Sequence, residues 1–138
     1  MRPVLVDTGF LVALYDRREA PHRVCRLLHE KLENPLVTCE AVIGEALHLL
    51  QSLPVAQQNI LVSIDQGILE VPFRLLASAG KVQVTMEKYR DTRADFADAC
   101  LIQMADELET GDILTLDGDF LHYRWRKTRR FNLLIPLG

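Results

Sequence analysis

The chain has 138 residues, of which 49% are hydrophobic and 25% charged, and its formal net charge is −3 with a pI near 5.8. This is the size and composition of one globular domain, so we expect a single domain over residues 1–138. The charge balance excludes a global basic field, and any contact with nucleic acid must therefore come from a local patch.

Short apolar runs alternate with segments of helical periodicity along the chain. The pattern predicts strands at residues 3–6, 36–37, 68–71, 112–116 and 133–135. It predicts helices at residues 10–15, 21–32, 40–51, 55–65, 73–89 and 93–108, with Thr38 capping the third. Strands and helices that alternate in this way form parallel sheets covered on both faces. We therefore predict an α/β fold, a three-layer α/β/α sandwich with a mostly parallel central sheet.

No segment predicts a membrane span or an export signal. The N-terminus reaches its first acid, Asp7, after a short stretch, and no apolar run is long enough to cross a bilayer. The cysteines are Cys25, Cys39 and Cys100, which are odd in number and form no C-x-x-C pair. This usage favours reduced, buried thiols, so we expect a cytoplasmic protein without membrane contact.

The last predicted helix, residues 93–108, carries acids at its start. Its apolar residues recur at helical spacing, and Thr92 or Asp91 can cap it. Asp95 and Asp98 stand three residues apart, which places them close together on the first turns. An ordinary acidic first turn explains this helix equally well when it is taken alone.

Acids also follow two of the predicted strands. Asp7 directly follows the strand predicted at residues 3–6. Asp117 directly follows the strand predicted at residues 112–116, and Asp119 lies two residues further on. A threonine stands beside each exit, at Thr8 and Thr115. Because ligands of open parallel sheets collect at the carboxyl ends of the strands, we expect these acids to meet the helix acids there.

Glu45 is a further candidate, within C-E-A-V-I-G-E-A-L-H-L-L at residues 39–50. Its neighbours are mostly apolar, and Gly44 removes a side chain just before it, so we expect close approach to another backbone. A carboxylate on such a stretch needs a partner or an ion. Glu40 is interpreted as a solvated first-turn acid and His48 as a histidine packed on its helix, because no second His or Cys stands at ligand spacing.

Several carboxylates in one pocket repel each other and stay ionised together only around a cation. Ligands that offer oxygen alone select Mg2+ or Mn2+ over Zn2+. Such a site suits phosphoryl chemistry, and no phosphate-binding loop, G-x-S-x-G nucleophile or paired Cys/His motif competes with it. The residues therefore predict hydrolysis of a phosphodiester.

Four stretches carry a family resemblance, namely V-L-V-D-T-G-F-L-V-A-L, A-V-I-G-E-A, D-F-A-D-A-C-L-I and T-L-D-G-D-F. Together, in this order and over nearly the whole chain, they resemble a PIN domain, the fold of the VapC-type ribonuclease toxins. The resemblance implies a Mg2+-dependent endoribonuclease, with Mn2+ as a substitute ion. Its catalytic and metal-binding acids would be Asp7, Glu45, Asp98 and Asp117.

The resemblance implies further roles and partners. Asp95 and Asp119 would bind the metal through water, and Thr8 and Thr115 would orient the carboxylates or the metal-bound water. The T-L-D-G-D-F loop is one residue shorter than in many relatives, which leaves Asp117 and Asp119 as alternatives for the nearer ligand. The implied partners are an RNA substrate, a small antitoxin of a type II toxin-antitoxin pair, and a second copy in a homodimer.

A basic run, H-Y-R-W-R-K-T-R-R, occupies residues 122–130. Its candidate RNA-binding residues are Arg124, Arg126, Lys127 and Arg129. Cations reach phosphates and aromatics stack on unpaired bases, so Tyr123 and Trp125 suit single-stranded RNA. A solvated surface or a dimer contact explains the run equally well.

The alternative to an enzyme is a non-catalytic PIN-like protein that binds RNA or a partner. Two other classes that bind Mg2+ on an α/β fold are disfavoured. A phosphoacceptor receiver needs an aspartate after a mid-chain strand, where Pro72 and Phe73 stand here. A phosphatase of the haloacid dehalogenase type needs D-x-D after the first strand, but Thr8 and Gly9 follow Asp7.

Overall fold

A computed structural model describes residues 1–136 of the chain. In that range the strands are β1 (Val4–Val6), β2 (Leu36–Val37), β3 (Leu69–Glu70), β4 (Asp112–Leu114), β5 (Arg124–Trp125), β6 (Arg129–Arg130) and β7 (Asn132–Leu133). The helices are α1 (Thr8–Tyr15), α2 (His22–Lys31), α3 (Glu40–Leu49), α4 (Pro54–Asp65), α5 (Leu75–Lys88) and α6 (Phe96–Leu108). Two 3-10 turns lie at Arg90–Thr92 and Gly118–Leu121.

Five strands form one sheet in the order β3-β2-β1-β4-β7, and every neighbouring pair is parallel. The predicted mostly parallel α/β fold is therefore confirmed. From β1 the chain continues to β2 and β3 on one side, and β4 and β7 lie on the other, so the order reverses between β1 and β4. In such sheets the crevice at the carboxyl ends of the two strands that flank the reversal is the usual ligand position.

The helices pack in two groups that complete the α/β/α sandwich. Helix α1 packs against α2, α3 and α4, whereas α6 packs against α5, α3 and β1. Strand β1 is wholly buried and strand β4 has two fully buried residues, Ile113 and Leu114, as expected for apolar strands covered on both faces. All three cysteines are free and buried, as the sequence predicts.

Helix α6 is more deeply buried than its sequence pattern predicts. We expected an apolar stripe along one face, but every residue from 97 to 105 is buried, including Asp98 and Gln103. Helix α6 packs against α5, α3, β1 and β5, and on its first turns the exception is its first residue, Phe96, which is 41% exposed. Gln103 is satisfied because its side-chain amide donates to the Glu107 carboxylate at 2.9 Å.

Two predicted helix starts and one predicted helix cap are wrong. Helix α1 begins at Thr8 rather than residue 10, because the Asp7 side chain accepts a hydrogen bond from the Thr8 amide. Thr38 does not cap α3; its hydroxyl donates instead to the Val6 carbonyl at 2.7 Å. Helix α6 is capped by Asp95, not by residue 91 or 92, because Arg93 adopts a left-handed conformation that separates the preceding 3-10 turn from the helix.

The last part of the described chain also differs from the prediction. The basic run contains an antiparallel hairpin of β5 and β6, which the sequence pattern did not predict. Strand β7 covers Asn132–Leu133 rather than residues 133–135. Across residues 1–136, no helix has both the length and the apolar character needed to cross a membrane.

Candidate metal centre

Asp7 lies directly after β1, at the carboxyl edge of the sheet. The Thr8 amide donates to its Oδ1 at 2.8 Å, and the Thr115 hydroxyl donates to its Oδ2 at 2.7 Å. The side chain is buried, and this burial raises its pKa to about 6, with further contributions from the charges of Asp117 and Glu45. Each carboxylate oxygen thus has one fixed donor and keeps a free lone pair for another ligand.

Asp98 lies on the first turn of α6, within a capping box. The Asp98 amide donates to Oδ1 of Asp95 at 2.8 Å, and the Asp95 amide faces Oδ2 of Asp98 at 3.4 Å. The Asp98 carboxyl is buried, which raises its pKa to about 7; the charges of Asp95, Asp7 and Asp117 act in the same direction. Burial thus disfavours the ionised form of the Asp98 carboxyl, and the capping box holds this carboxyl in place.

Asp117 reaches the same crevice from the loop after β4. Its amide donates to the Thr115 hydroxyl at 3.0 Å, and its Oδ1 accepts from the Asp119 amide at 2.9 Å, which caps the second 3-10 turn. Thr115 thereby donates to Asp7 and accepts from Asp117, so one fully buried hydroxyl connects two of the acids.

The three acids converge. One carboxylate oxygen from each of Asp7, Asp98 and Asp117 lies within 4.8 Å of the others. Such a separation is short enough for strong mutual repulsion, which the raised pKa values of Asp7 and Asp98 express. Asp7 and Asp98 are buried and Asp117 is half-buried, and a set of oxygen donors alone that is short of cationic partners suits a hard divalent ion such as Mg2+ or Mn2+. The residues present therefore fit a divalent metal.

The remaining predicted acids lie outside this converging group, as judged over residues 1–136. Glu45 is exposed on α3, although its charge still raises the pKa of Asp7. Asp95 is taken up by the capping box, and Asp119 lies two residues beyond Asp117 on the 3-10 turn. Of the two alternatives in the T-L-D-G-D-F loop, the structure brings Asp117 to the other acids. The close backbone approach expected at Gly44 is not present, because a Cβ at this position would meet nothing within 4 Å.

Thr8 contributes its backbone amide to Asp7, as described above. Its hydroxyl is buried and has no hydrogen-bond partner. Among residues 1–136 it is the one buried side-chain polar atom in this state. A buried hydroxyl without a partner is costly, so a water or ligand at this position would satisfy it.

Tyr123 touches the centre in a way that sequence reasoning missed. We expected it to stack on RNA bases, but it is fully buried, and its hydroxyl donates to Oδ2 of Asp98 at 3.3 Å. Its ring lies edge-on to Tyr89 and to Phe120, with centroids 5.0 Å apart in both pairs. Burial raises the pKa of the phenol, so it acts as a hydrogen-bond donor to Asp98. The alternation of aromatic and basic residues in the run was a signal for a strand with one buried face.

Trp125 is also buried, and its indole Nε1 donates to the Arg130 carbonyl across the hairpin at 3.1 Å. The expected stacking of Tyr123 and Trp125 on bases is therefore wrong for this conformation, because both rings belong to the core. The cations of the run point elsewhere: Arg126 and Lys127 occupy the turn with positive φ angles of 45° and 67°. Arg126 pairs with Glu109, and Lys127 is exposed.

The other two candidate RNA-binding cations differ in exposure. The guanidinium of Arg124 is half-buried and donates to the carbonyls of Leu121 and Tyr123, whereas Arg129 is exposed and lies over the Trp125 ring at 5.2 Å. A cleft of about 830 Å³ between α5, α6 and the hairpin is lined in part by Lys81, Lys88, Arg124 and Lys127. Asp106 and Glu107 also line this cleft, so its lining carries both charges with the cations in excess, and the hairpin forms one border of it.

Comparisons with known proteins agree with the fold. The sequence model of the PIN domain family matches residues 4–126. The chain is 28% identical to Ribonuclease VapC26 of Mycobacterium tuberculosis over 142 aligned residues, which cover 98% of this chain and 94% of that protein. Its fold is similar to that of M. tuberculosis VapC20, described as a sarcin-ricin loop cleaving toxin, with a TM-score of 0.78, 20% identity, and coverage of 91% of this chain and 98% of that one.

Proposed function

The chain belongs to the PIN domain family, and from that premise we propose that it is a divalent-metal-dependent endoribonuclease that hydrolyses RNA phosphodiester bonds. The observation that carries the proposal is the convergence of Asp7, Asp98 and Asp117 within 4.8 Å at the reversal point of the sheet. The named ribonuclease among its relatives, matched along nearly the full length of both chains, supports RNA as the substrate.

The three converging carboxylates would hold Mg2+ or Mn2+. Glu45 and Asp119 would act from the more solvent-exposed side of the centre, and Asp95 would act through the capping box. A bound ion of this kind supplies a Lewis acid for a phosphate oxygen and lowers the pKa of water towards neutrality. The protein's own task is to keep the acids in place. Thr115 fixes the orientation of Asp7, the Asp95 cap fixes the backbone of Asp98, and the Tyr123 hydroxyl holds an oxygen of Asp98.

Thr8 supports the same proposal. Its backbone amide orients Asp7, and its buried hydroxyl, for which residues 1–136 provide no partner, is suited to hydrogen-bond a water in the centre. Thr8 and Thr115 would therefore have the orienting roles that the family resemblance implies, one on each side of Asp7.

The cations of the hairpin are proposed to guide the RNA. Lys127 and Arg129 are exposed, and Lys127 and Arg124 line the cleft between α5, α6 and the hairpin. Arg126 would contribute from the turn, although its pairing with Glu109 offsets part of its charge. With both aromatic rings buried, we expect binding to depend on phosphate contacts more than on base stacking.

Two protein partners follow from the family. A small antitoxin would inhibit the enzyme, consistent with the toxin described for VapC20. A second copy would form a homodimer through apolar side chains that are exposed on α4 and α5, of which Val55 is 67% exposed, Leu76 95% and Val84 68%. A patch of exposed apolar side chains is typical of a protein interface, and these three would contribute to one.

The test is cleavage of labelled single-stranded and structured RNA by the purified protein with Mg2+ or Mn2+, with EDTA, and with Asp98→Asn. We expect Asp98→Asn to lose more than the roughly 10–100-fold that removal of an outer-shell partner of a metal site costs. Asp65→Asn is the matched control, because Asp65 is an exposed acid at the end of α4. A cleavage activity that survives EDTA and Asp98→Asn would come from a contaminant and would count against the proposal.

Calorimetry separates the enzyme from its alternative. Metal binding that depends on Asp98, without cleavage of any RNA, would favour a non-catalytic PIN-like binding protein instead.

A further inference from the structure

Cys39 and Cys100 form a pair of thiols beside the acidic centre. Cys39 is the residue before α3, and Cys100 lies four residues into α6. Both are buried, and both line one small cavity, although 60 residues separate them in sequence. They share this cavity because α3 packs on α6. Each thiol also shifts the pKa of the other, as expected for neighbouring sulfur atoms.

A small cavity gives access to this pair. Its volume is about 170 Å³, and both cysteines line it. The outer lining includes Glu40, Leu75 and Phe96, which are all exposed, so the cavity lies next to the protein surface. A molecule of liquid water occupies about 30 Å³, so a small peroxide has room to reach the sulfur atoms.

Cys25 provides an internal contrast. It is buried on α2 and does not line this cavity. Burial raises the pKa of Cys25, whereas the neighbouring Cys100 thiol, followed by the first amides of α3, lowers the pKa of Cys39. The pKa of Cys100 is itself raised, so Cys39 is the nucleophile of the pair.

We propose that Cys39 and Cys100 are an oxidation site, at which a peroxide converts the two thiols to a disulfide that joins α3 to α6 and displaces Asp98. In the first step the Cys39 sulfur attacks one peroxide oxygen, the O–O bond breaks, and the thiol proton leaves with the other oxygen as water or an alcohol. In the second step the Cys100 sulfur attacks the sulfenic acid, the S–S bond forms, and the hydroxyl leaves as water with the Cys100 proton. The two sulfur atoms together lose two electrons, which the peroxide gains.

The disulfide would act on the centre because both cysteines are close to it in sequence. Asp98 is two residues before Cys100, on the same turn of α6. Thr38, the residue before Cys39, donates to the Val6 carbonyl, which precedes Asp7. Closure of the two sulfur atoms to the S–S length of about 2.05 Å would pull on both sides of the carboxylate group. A misplacement of about 1 Å can cost about 10²-fold in rate.

The test is a peptide map of the full chain under non-reducing conditions. Reduced protein is treated with hydrogen peroxide, free thiols are blocked with an alkylating agent, and disulfide-linked peptides are identified by mass spectrometry. We expect free thiols to fall from three to one in the unmodified sequence and from two to none in Cys25→Ser. We expect Cys100→Ser to form no intramolecular disulfide, and dithiothreitol to restore all thiols.

Three unchanged thiols, a disulfide that includes Cys25, or a link only between two chains would overturn the proposal. The map needs no variant, so a Cys100→Ser protein that fails to fold does not weaken it.

The effect on RNA cleavage rests on the proposed function: we expect oxidation to lower the rate by roughly tenfold or more, reversibly, in the unmodified chain and in Cys25→Ser. An unchanged rate in fully cross-linked protein would overturn the displacement of Asp98. Absence of cleavage in reduced protein would instead contradict the proposed function and leave the map to decide the disulfide.

Discussion

At the scale of single residues, the centre depends on hydrogen bonds that orient carboxylates without neutralising them. Asp7 accepts from the Thr8 amide and the Thr115 hydroxyl, and neither donor carries a charge. Across residues 1–136, no Lys or Arg forms an ion pair with Asp7, Asp98 or Asp117. Buried acids without cationic partners are unfavourable in the absence of an ion. The arrangement therefore stores repulsion that a divalent cation relieves.

This repulsion predicts how the stability of the metal-free protein depends on pH. The folded-state pKa values of Asp7 and Asp98, about 6 and about 7, lie above the ordinary value of 3.8, so the folded state binds more protons than the unfolded chain between those limits. The contribution of these two carboxyls to the free energy of unfolding is therefore fully present below about pH 4. It is lost as the pH rises towards 7, by on the order of 2–3 kcal/mol for Asp7 alone.

Thermal unfolding in EDTA at about pH 5 and about pH 7.5 measures this difference. We expect a lower Tm at the higher pH, a smaller difference in Asp98→Asn, and recovery of the Tm at the higher pH when Mn2+ is added. A Tm that rises with pH in EDTA would show that the carboxyls are ionised without penalty.

Glu45 is the acid for which the family resemblance and the geometry differ most. It is exposed and lies outside the converging group, but its charge acts on Asp7. We expect Glu45→Gln to reduce cleavage by about 10–100-fold, the range for groups that act on a metal from outside its direct ligands. Rates with Mg2+ for Glu45→Gln, Asp98→Asn and the control Glu40→Gln measure this. A loss as large as that of Asp98→Asn would make Glu45 a direct ligand, and no loss would remove it from the site.

At the scale of elements, the hairpin of β5 and β6 is a part of the core that also carries surface charge. Tyr123 and Trp125 point inwards, to Asp98 and to the turn after α6, while the cations between and after them point outwards. Alternate side chains of a strand face opposite sides, so one short ribbon supports the metal centre and presents a basic edge.

Gly111 is the point at which β4 meets this hairpin. A Cβ at Gly111 would overlap the Trp125 indole, with Cε2 only 2.9 Å away. We expect Gly111→Ala to lower the free energy of unfolding by about 1–3 kcal/mol, the usual cost of overpacking. Denaturant unfolding followed by the fluorescence of Trp125 measures it.

Gly80→Ala is the matched control for this substitution. Gly80 lies within α5, and a Cβ there meets nothing within 4 Å. An alanine at this position should stabilise the protein by about 0.5–1 kcal/mol, since glycine is unfavourable inside helices. Equal effects of the two substitutions would contradict close packing of Gly111 on Trp125.

At the scale of the whole molecule, a chain of net charge −3 presents a local cationic edge next to an acidic centre. The reversal of strand order between β1 and β4 opens the crevice that Asp7 and Asp117 border, and α6 brings Asp98 to it. The hairpin and the cleft with Lys81 and Lys88 lie on the side of α6 that faces α5. A polyanion is thereby attracted to one region of a protein that otherwise repels it.

Lys127 tests this distribution of charge. Affinity for single-stranded RNA, measured by fluorescence anisotropy over a series of salt concentrations in the Asp98→Asn background, should decrease in Lys127→Ala. The slope of log K against log salt should become less steep by about 0.7, the value for one phosphate contact on a single strand. Lys31→Ala at the end of α2 is the control and should change neither quantity. An unaltered slope in Lys127→Ala would mean that the hairpin turn does not contact RNA.

The sequence by itself determined the alternation of strands and helices, the parallel sheet, and the acids at the exits of β1 and β4. Each of these depends on local pattern: apolar runs of strand length, helical spacing, and an acid directly after a strand. The sequence also predicts the type of ion, because ligands that offer oxygen alone select a hard divalent cation, and binding of that ion stays a prediction.

The tertiary structure alone decided which side chains face one another. It placed Glu45 at the surface, directed Tyr123 to Asp98, buried every residue of α6 from 97 to 105, and brought Cys39 and Cys100 to one cavity. These outcomes depend on contacts between residues far apart in the chain. Local periodicity specifies which face of an element is apolar, but the packing of α6 between α3, α5, β1 and the hairpin determines which group lies opposite each position.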